Sequence, residues 1–270
     1  MPELPEVETT ARGLKPLVVN QSIISIGIYR PKLRWEIPKH LPVTLKDQVI
    51  QSVGRRAKYL LVHFDHGTLI LHLGMSGSIR VVPTELPLKK HEHFELTFGN
   101  NTSLRFDDPR RFGAVLWQNK GETLPLLESL GPEPLAEDFH ADYLFQRSRG
   151  RTQNIKTFIM NGHVVVGVGN IYASESLFLA KISPKILAGK ISLKRYQILV
   201  ESIKSILSEA IAKGGTTLKD FSGVDGKPGY FAQELSVYGR IDTSCIMCDG
   251  TIKKITQNQR ATYYCPKCQK

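Results

Sequence analysis

All four cysteines of the 270-residue chain lie within its last 26 residues, and this clustering narrows the ways in which that end of the chain can fold. Two residues separate Cys245 from Cys248 and Cys265 from Cys268, and sixteen residues lie between the two pairs. Two Cys-x-x-Cys pairs at this spacing are typical of a tetrahedral four-thiolate zinc site. Because four protein ligands leave no open coordination position, we expect one structural zinc ion per chain. A redox-active dithiol is the alternative interpretation.

The residues between the two cysteine pairs predict a short β-hairpin. TIKKIT at 251–256 and ATYY at 261–264 alternate like paired strands, and the turn-prone QNQR between them ends in Arg260. The stretch from Cys245 to Lys270 has a net charge of +4. A basic hairpin on a rigid metal knuckle suits contact with phosphates, although zinc ribbons that serve only as scaffolds are also common.

The charge of the whole chain favours a polyanionic partner. It has 36 lysines and arginines against 25 acidic residues, which gives a formal net charge of +11 and a pI near 9.5. Nucleic acid, ribosomal RNA and an anionic membrane surface all fit this charge, and a simple solubility feature is the alternative. No run approaches the ~18 apolar residues of a spanning helix, and the acidic start MPELPEVETT is unlike a signal peptide. We therefore expect a cytoplasmic protein.

Residue patterns divide the chain into a β-rich part and a helical part. A helical pattern from Leu4 to Leu17 precedes six strand-like runs, and helical patterns return at 170–181 and 192–213. The strand-like runs lie near 24–30, 58–64, 68–73, 78–82, 93–98 and 114–118. We predict a β-sandwich domain over 1–131, a helical domain over 132–235 with a polar, glycine-rich loop at about 214–230, and a zinc module over 236–270.

The first residues contain a candidate nucleophile. Removal of Met1 exposes the secondary amine of Pro2, and an α-amino group has a pKa of roughly 7.7–8.0, so part of it is neutral near pH 7. A neutral amine attacks a sugar C1′ to form an iminium. Glu3 and Glu6 are placed to protonate a ribose oxygen or to hold a water molecule. An ordinary helix start with Pro and Glu in its first turn is the alternative.

Three further motifs combine basic or polar residues with predicted turns. Arg55-Arg56-Ala57-Lys58 is a compact basic cluster before a strand, for which a solvated face is the alternative. DDPRRFG at 107–113 places Phe112 beside arginines, which suits insertion into a base stack. The alternative is Phe112 in the core with its arginines paired to the aspartates, and Met75 in LGMSGS also fits a core role. Asn170, at the start of a predicted helix, is a candidate N-cap that aims free backbone N–H groups outward, an arrangement that binds phosphates; an Asn cap without a ligand is the alternative.

Taken together, the motifs resemble the formamidopyrimidine-DNA glycosylase family over residues 1–270. The resemblance rests on MPELPEVET, RRAKYLL, HLGMSGS, DPRRFG, LGPEPL, VGVGNIYASE, GGTTLKDF, GKPGYFAQELSVYGR and YYCPKCQK, which follow one another in order. It implies an α+β multidomain fold: an N-terminal β-sandwich with flanking helices, a C-terminal helical domain with a helix–two-turn–helix, and a four-cysteine β-hairpin zinc finger. It also implies a monomer that binds double-stranded DNA containing an oxidised purine opposite cytosine.

The resemblance further implies an activity and a set of site residues. The enzyme would flip out and excise 8-oxoguanine or formamidopyrimidines through a Schiff base, and then cleave the abasic site by β,δ-elimination. Pro2 would be the nucleophile and Glu3 its partner in proton transfer, while Lys58 and Arg260 would act in elimination and phosphate binding. Glu6 and Glu175 would be supporting carboxylates. The implied DNA contacts are Met75, His91, Arg110, Phe112, Arg151, Asn170 and Lys219, the last in the glycine-rich loop.

Two other function classes remain open from the sequence. One is an endonuclease VIII-type enzyme, which removes oxidised pyrimidines with the same nucleophile; Arg110 argues against it because its fork suits the edge of a cytosine opposite a purine lesion. The other is a zinc-finger protein that binds DNA without catalysis, or a degenerate paralogue. The presence of Pro2, Glu3 and Lys58 argues against that second class.

Overall fold

A computed structural model describes residues 2–215 and 234–270. The chain forms two compact units. The N-terminal unit contains the described residues of Met1–Glu128 and Lys213–Tyr230, and the C-terminal unit contains those of Ser129–Ala212 and Phe231–Lys270. Most of the predicted loop at 214–230, including Lys219, lies outside the described residues. No helix in the described ranges has the length and apolar character needed to cross a membrane.

The N-terminal unit confirms the predicted β-sandwich. Its strands form two antiparallel four-stranded sheets, with the orders β1-β6-β7-β5 and β2-β3-β4-β8. The strands are β1 (Ile23–Ile28), β2 (Ser52–Arg56), β3 (Tyr59–Phe64), β4 (Gly67–His72), β5 (Ser78–Pro83), β6 (Glu92–Phe98), β7 (Thr102–Asp107) and β8 (Ala114–Asn119). Apolar side chains from both sheets form one buried core, in which Leu60, Leu71, Phe94 and Phe106 lie.

Helix α1 (Leu4–Val18) packs on β2 and β3 of this sandwich. Its buried apolar residues Val7, Ala11, Leu14 and Val18 recur every three or four positions, so that one apolar stripe faces the core. Pro5 in the first turn lacks the N–H that a helix start leaves unsatisfied, and Lys15 lies in the last turn, where the helix dipole favours a cation. Short helices α2 (Leu41–Leu45) and α3 (Pro125–Glu128) complete this unit.

Helices and a separate apolar core form most of the C-terminal unit. The helices are α4 (Ala141–Ser148), α5 (Ile155–Ile159), α6 (Asn170–Leu179) and α7 (Leu193–Ala212), with a 3₁₀ turn at Ala188–Lys190. Tyr172 and Tyr196 are fully buried in this core. Helix α6 is apolar on almost every side, and α7 and the C-terminal hairpin both pack against it. The helical patterns predicted at 170–181 and 192–213 are therefore confirmed to within two residues.

The chain ends in the predicted hairpin between the two cysteine pairs. Strands β9 (Lys253–Gln257) and β10 (Arg260–Tyr264) are antiparallel, with Arg260 opposite Gln257. Asn258 and Gln259 form the two-residue turn with φ of +46° and +59°, the left-handed backbone that suits such a hairpin. This turn places Arg260 directly beside the tip.

Candidate functional site

A buried carboxylate fixes the first residues of the N-terminal unit. The Oε2 atom of Glu6 accepts the backbone N–H of Glu3 at 2.7 Å. Both glutamates are only 2% exposed, and Pro2 is buried beside them. This bond is one half of a capping box, so the helix start that was the alternative to a functional site is present. The same bond orients the peptide that follows Pro2.

Lys58 lies in a tight turn that is tied to helix α1. Ala57 and Lys58 connect β2 to β3, and Ala57 has a φ of +54°. Arg55 stabilises this turn because its Nη1 donates to the carbonyl of Ala57 at 2.8 Å. Its Nε also donates to Glu8 on α1 at 3.0 Å. The Arg55–Glu8 pair thereby joins helix α1, which begins after Glu3, to the turn that contains Lys58.

His72, at the end of β4, is neutral in the folded protein. Desolvation by burial lowers the pKa of His72 to about 4, with a smaller contribution from the positive charges of Lys58 and Arg34. Its Nδ1 accepts the backbone N–H of Gly74 at 3.0 Å, which requires that this nitrogen has no proton. The neutral imidazole therefore stabilises the start of the loop that contains Met75.

This lowered pKa predicts a pH dependence of stability. An unfolded histidine titrates near pH 6.5 and His72 only near pH 4, so its contribution is complete above pH 6.5 and is lost as the pH falls from 6.5 to 4. The loss amounts to at most about 3 kcal/mol. We expect urea unfolding of His72→Gln to show a smaller decrease in stability between pH 7 and pH 4.5 than the native chain shows. Parallel decreases in the two proteins would contradict this assignment.

Phe112 and Arg110 form an exposed pair. The Phe112 side chain is 47% exposed, and the guanidinium carbon of Arg110 lies 5.3 Å from its ring centroid. Within the described residues, neither Arg110 nor Arg111 forms an ion pair, so the alternative of a buried Phe112 with arginine–aspartate pairs is wrong. Met75 is half-buried in the adjacent loop.

Basic residues surround this pair. A cavity of about 520 Å³ is lined by Arg30, Lys32, Arg110, Arg111 and Phe112, together with Pro31 and Leu33. His91 lies directly before β6 and is half-buried, with its ring edge-on to His93. An exposed aromatic ring among cations suits a nucleic acid, because the ring contacts bases and the cations contact phosphates.

Asn170 in the C-terminal unit does not cap helix α6. Gly169 is the N-cap and Asn170 the first helical residue, so the predicted capping role is wrong. Its Oδ1 accepts from Nζ of Lys156 at 2.7 Å, and its Nδ2 donates to the carbonyl of Ala261 at 3.0 Å. A tertiary hydrogen-bond network thus occupies the side chain that a local cap would have used.

Lys156 is a functional candidate that sequence analysis missed. It is 2% exposed, and its Nζ donates to the Ala261 carbonyl at 3.0 Å and to Oγ1 of Thr262 at 2.9 Å. It therefore connects α5 to β10 directly after Arg260. A lysine in the otherwise apolar IKTFI was the available signal, because lysine is seldom buried without specific partners.

Arg260 and Lys156 line the same polar cavity of about 340 Å³, to which Gln153 and Asn161 also contribute. Arg260 is exposed, and Arg151 is exposed elsewhere on the same unit. The three Nζ donors of Lys156 are taken by Asn170, Ala261 and Thr262, so an anionic group such as a phosphate in this cavity would contact Arg260.

Glu175 is buried in α6 and supports the chain near the zinc module. Its two oxygens accept the backbone N–H groups of Ser236, Val237 and Tyr238 at 2.8–3.0 Å. Burial raises the pKa of Glu175, and these three hydrogen bonds act in the opposite direction. Glu175 thus fixes the described residues that follow 216–233 in the chain, which is a structural role.

The four cysteines form a cluster that can hold one zinc ion. Their sulfur atoms lie within 4.8 Å of one another, and pairs such as Cys245–Cys268 and Cys248–Cys265 are 3.8 and 3.6 Å apart. Four thiolates placed tetrahedrally at Zn–S bonds of about 2.3 Å are about 3.8 Å apart, so the cluster fits this ion.

Backbone N–H groups point at the cysteine sulfurs. Met247 donates to Cys245 at 3.4 Å, Gly250 to Cys248 at 3.3 Å, and the N–H of Cys268 to Cys265 at 3.5 Å. Such donors favour the thiolate, which is the form that binds a metal. The donor set is closed and contains only thiolates, as a structural zinc site requires.

Comparison with protein-family models gives three consecutive matches. Residues 1–115 match the formamidopyrimidine-DNA glycosylase N-terminal domain, and residues 130–222 match the formamidopyrimidine-DNA glycosylase H2TH domain. Residues 245–270 match the zinc finger found in FPG and IleRS. The matched residues cover most of the chain.

Full-length relatives and solved structures are similar to the whole chain. Formamidopyrimidine-DNA glycosylases of Ruthia magnifica and Alcanivorax borkumensis are 59% and 53% identical, with 100% of both chains covered. The Lactococcus lactis FPG mutant G226P in complex with a Fapy-dG containing DNA has a TM-score of 0.93 at 36% identity, with 100% of both chains covered. MutM in complex with carbocyclic 8-oxo-G containing DNA has a TM-score of 0.92 at 36% identity and the same coverage.

Proposed function

The chain belongs to the formamidopyrimidine-DNA glycosylase family of base-excision-repair enzymes, and from this premise we propose that it excises oxidised purines with Pro2 as nucleophile and then cleaves the DNA strand. The observation that carries the proposal is the N-terminal arrangement of Pro2, Glu3 and Glu6. A buried carboxylate that holds the peptide after Pro2 pre-orients an amine for attack, and orientation is a large part of such catalysis.

The proposed chemistry begins at the Pro2 nitrogen. Its lone pair attacks C1′ of the damaged nucleotide, and the base leaves with the electron pair of its bond to C1′ and takes up a proton from solvent. Glu3 donates a proton to the ring oxygen of the sugar, which opens as the nitrogen loses its proton and the iminium forms. The iminium acidifies the 2′ position, so that loss of a 2′ proton expels the 3′ phosphate, and loss of the 4′ proton in a second elimination expels the 5′ phosphate. Water then hydrolyses the iminium and frees the Pro2 amine. In this mechanism the Pro2 amine leads to cleavage of the bond to the base and of the bonds to both phosphates, and no catalytic metal is needed.

Two sets of side chains would take part in extruding the damaged nucleotide and in binding the DNA. Phe112, Arg110 and Met75 fill the gap that an extruded nucleotide leaves, and extrusion costs least for a damaged base. The proposed phosphate contacts are Lys58 and Arg260, which also act in the eliminations, and the further proposed DNA contacts are His91, Arg151 and Asn170. The exposure of Phe112 and Arg110 and the polar cavity at Arg260 support these assignments. Lys219, the proposed lesion contact, lies outside the described residues.

The proposed substrate is an oxidised purine opposite cytosine in duplex DNA, bound by a monomer. The similar structures include an L. lactis protein with Fapy-dG containing DNA and MutM with carbocyclic 8-oxo-G containing DNA, which supports the purine class. The planar fork of Arg110 suits the acceptor edge of a cytosine whose partner has left the helix. The four cysteines would hold zinc, which would supply no chemistry to the reaction and would keep the Arg260 hairpin rigid.

A panel of four duplexes tests the substrate class. We expect cleavage of 8-oxoguanine and of ring-opened formamidopyrimidine opposite cytosine, much weaker cleavage of 8-oxoguanine opposite adenine, and little cleavage of an oxidised pyrimidine. Preferred cleavage of the oxidised pyrimidine would assign the chain to an endonuclease VIII-type activity. Binding of all four duplexes without cleavage of any would make it a binding protein.

Replacing Arg260 with alanine is expected to weaken DNA binding and its salt dependence together. Loss of one phosphate contact lowers the slope of log K against log salt by about 1. Fluorescence anisotropy at several salt concentrations measures this slope. Lys267→Ala is the matched control, because Lys267 is a cation of the same module that is already paired with Asp249. An Arg260→Ala slope equal to that of the native chain would exclude the phosphate contact.

A further inference from the structure

Two loops lie side by side in the N-terminal unit, and each of them connects a strand of one sheet to a strand of the other. The first, residues 73–77, connects β4 to β5 and contains Met75; the second, residues 108–113, connects β7 to β8 and contains Arg110 and Phe112. We name them the Met75 loop and the Phe112 loop. Because β4 pairs with β8 and β5 with β7, His72 faces Ala114 at one end and Ser78 faces Asp107 at the other. Sheet pairing therefore fixes both ends of both loops.

The two loops touch through their backbones. Gly74 has a φ of +64°, and a Cβ atom at this position would lie 2.5 Å from the Gly113 nitrogen and 2.5 Å from the Phe112 carbonyl carbon. Only glycine combines that backbone conformation with so close an approach. A movement of one loop is consequently transmitted to the other.

One buried carboxylate joins the two loops. Asp108 is fully buried; its Oδ2 accepts the Gly113 N–H at 2.7 Å, and its Oδ1 accepts the Ser76 hydroxyl in a long contact of 3.4 Å. The first bond closes the Phe112 loop upon itself, and the second reaches the Met75 loop. The Asp108 carbonyl also accepts the N–H of Arg111 at 3.2 Å, which completes the turn beneath Phe112.

The same residue is connected to the start of β6. The backbone N–H of Asp108 donates to the His91 carbonyl at 2.9 Å, and Nε2 of His93 lies 3.1 Å from the Asp108 carbonyl oxygen. Asp108 thus contacts the segments of Met75, of Phe112 and of His91, yet its own side chain is shielded from solvent. Because the Asp108 carboxylate is shielded, it cannot itself contact DNA. Any effect of Asp108 on DNA binding or base excision must therefore act through these loops.

We propose that Asp108 is a positioning residue that holds the Met75 loop and the Phe112 loop as one preformed wedge. The proposal rests on the proposed function, since it deepens the role given there to Met75, Arg110 and Phe112. Without Asp108 the Gly113 N–H loses its acceptor and the Phe112 ring loses its fixed direction. The loops would then have to be ordered at the moment of base extrusion, which costs conformational entropy.

The experiment compares Asp108→Ala with the native chain on two substrates. A duplex with 8-oxoguanine opposite cytosine requires base extrusion, whereas a single strand with an abasic site requires only the amine. We expect kcat/KM on the duplex to fall about 10- to 100-fold, as for a lost hydrogen bond to a buried charged group. Borohydride trapping on the abasic single strand should stay within about twofold of the native chain. Equal losses on both substrates would contradict the proposal.

A double-mutant cycle with Phe112→Ala separates positioning from a general structural defect. If Asp108 acts through the wedge, its removal has little further effect once Phe112 is absent. If the two losses multiply fully, the proposal is wrong. Asp65→Ala, which removes an exposed aspartate at the β3–β4 turn, is the matched control and should behave as the native chain.

Ser76→Ala provides a test if Asp108→Ala does not fold. It removes the link between Asp108 and the Met75 loop and leaves the bond to Gly113 in place. We expect a two- to tenfold loss on the duplex alone; an unchanged duplex rate would contradict the link between the loops. The native chain also separates the two proposals: failure to trap the abasic single strand would reject the proposed function, whichever way the variants behave.

Discussion

Substitution of Pro2 with glycine is expected to lower strand cleavage of an 8-oxoguanine duplex by at least about 100-fold while DNA affinity stays within about twofold. Proline gives a secondary amine whose ring fixes the direction of the lone pair, and its iminium is positively charged without any further proton. Glycine keeps an α-amine but gives up that fixed direction. Because the Glu6 bond to residue 3 uses only the backbone, the helix start should survive the change.

Single-turnover cleavage and anisotropy measure the two quantities on the same protein. Met1 must be absent from both proteins, since its retention replaces the amine of residue 2 with an amide; the intact mass settles this for each preparation. A parallel loss of affinity and cleavage would point to misfolding rather than to a missing nucleophile. Cleavage at the native rate would remove Pro2 from the mechanism.

Loss of zinc is expected to unfold the C-terminal hairpin and to reduce DNA affinity by at least about tenfold. Metal binding to such a module contributes roughly 10–16 kcal/mol to its folding, far more than the few buried side chains there supply. Cys265 is fully buried beside Ile252 and Val237, so the Cys265→Ser variant loses both a zinc ligand and part of this small core, whereas a strong chelator removes the ion alone. Arg260 and the Lys156 contacts to β10 are lost with the hairpin.

Elemental analysis measures the zinc content of each protein, and fluorescence anisotropy measures its DNA affinity. The native chain should contain one zinc ion per chain, and Cys265→Ser less. Met247→Ala is the matched control, because Met247 is an exposed knuckle residue that contributes a backbone N–H to Cys245, and this N–H survives the change. Full DNA affinity after complete removal of zinc would contradict a structural role of the metal.

Much of the fold could be predicted because its signals are local. Alternating apolar residues indicated six of the eight sandwich strands, and cysteine spacing indicated the zinc module. Strand β7 was missed because Arg105 interrupts its apolar pattern. Arg105 is 3% exposed, and Glu95 and Glu92 on the neighbouring strand β6 compensate its charge at 2.7 and 3.4 Å. No local pattern reveals a partner that pairing across a sheet supplies.

The site shows the same limit. The motif DPRRFG was informative, yet only the structure decides between an exposed and a buried Phe112. Asn170 looked like a helix cap, but Lys156 and Ala261 occupy its side chain. From the sequence, Asp108 is predicted only as an ion-pair partner for the arginines. Its bond to Gly113 lies within the Phe112 loop, whereas its contact with Ser76 depends on the Met75 loop, which lies far away in sequence.

The central claim, that the Pro2 amine attacks the damaged nucleotide, has one direct test. The native chain is incubated with a duplex containing 8-oxoguanine opposite cytosine in the presence of borohydride, and the trapped complex is digested and sequenced by mass spectrometry. We predict a covalent complex whose DNA is attached to the nitrogen of Pro2 in a peptide that begins at that residue. A complex attached to a lysine, or none at all on a duplex that the protein binds and cleaves, would contradict the account.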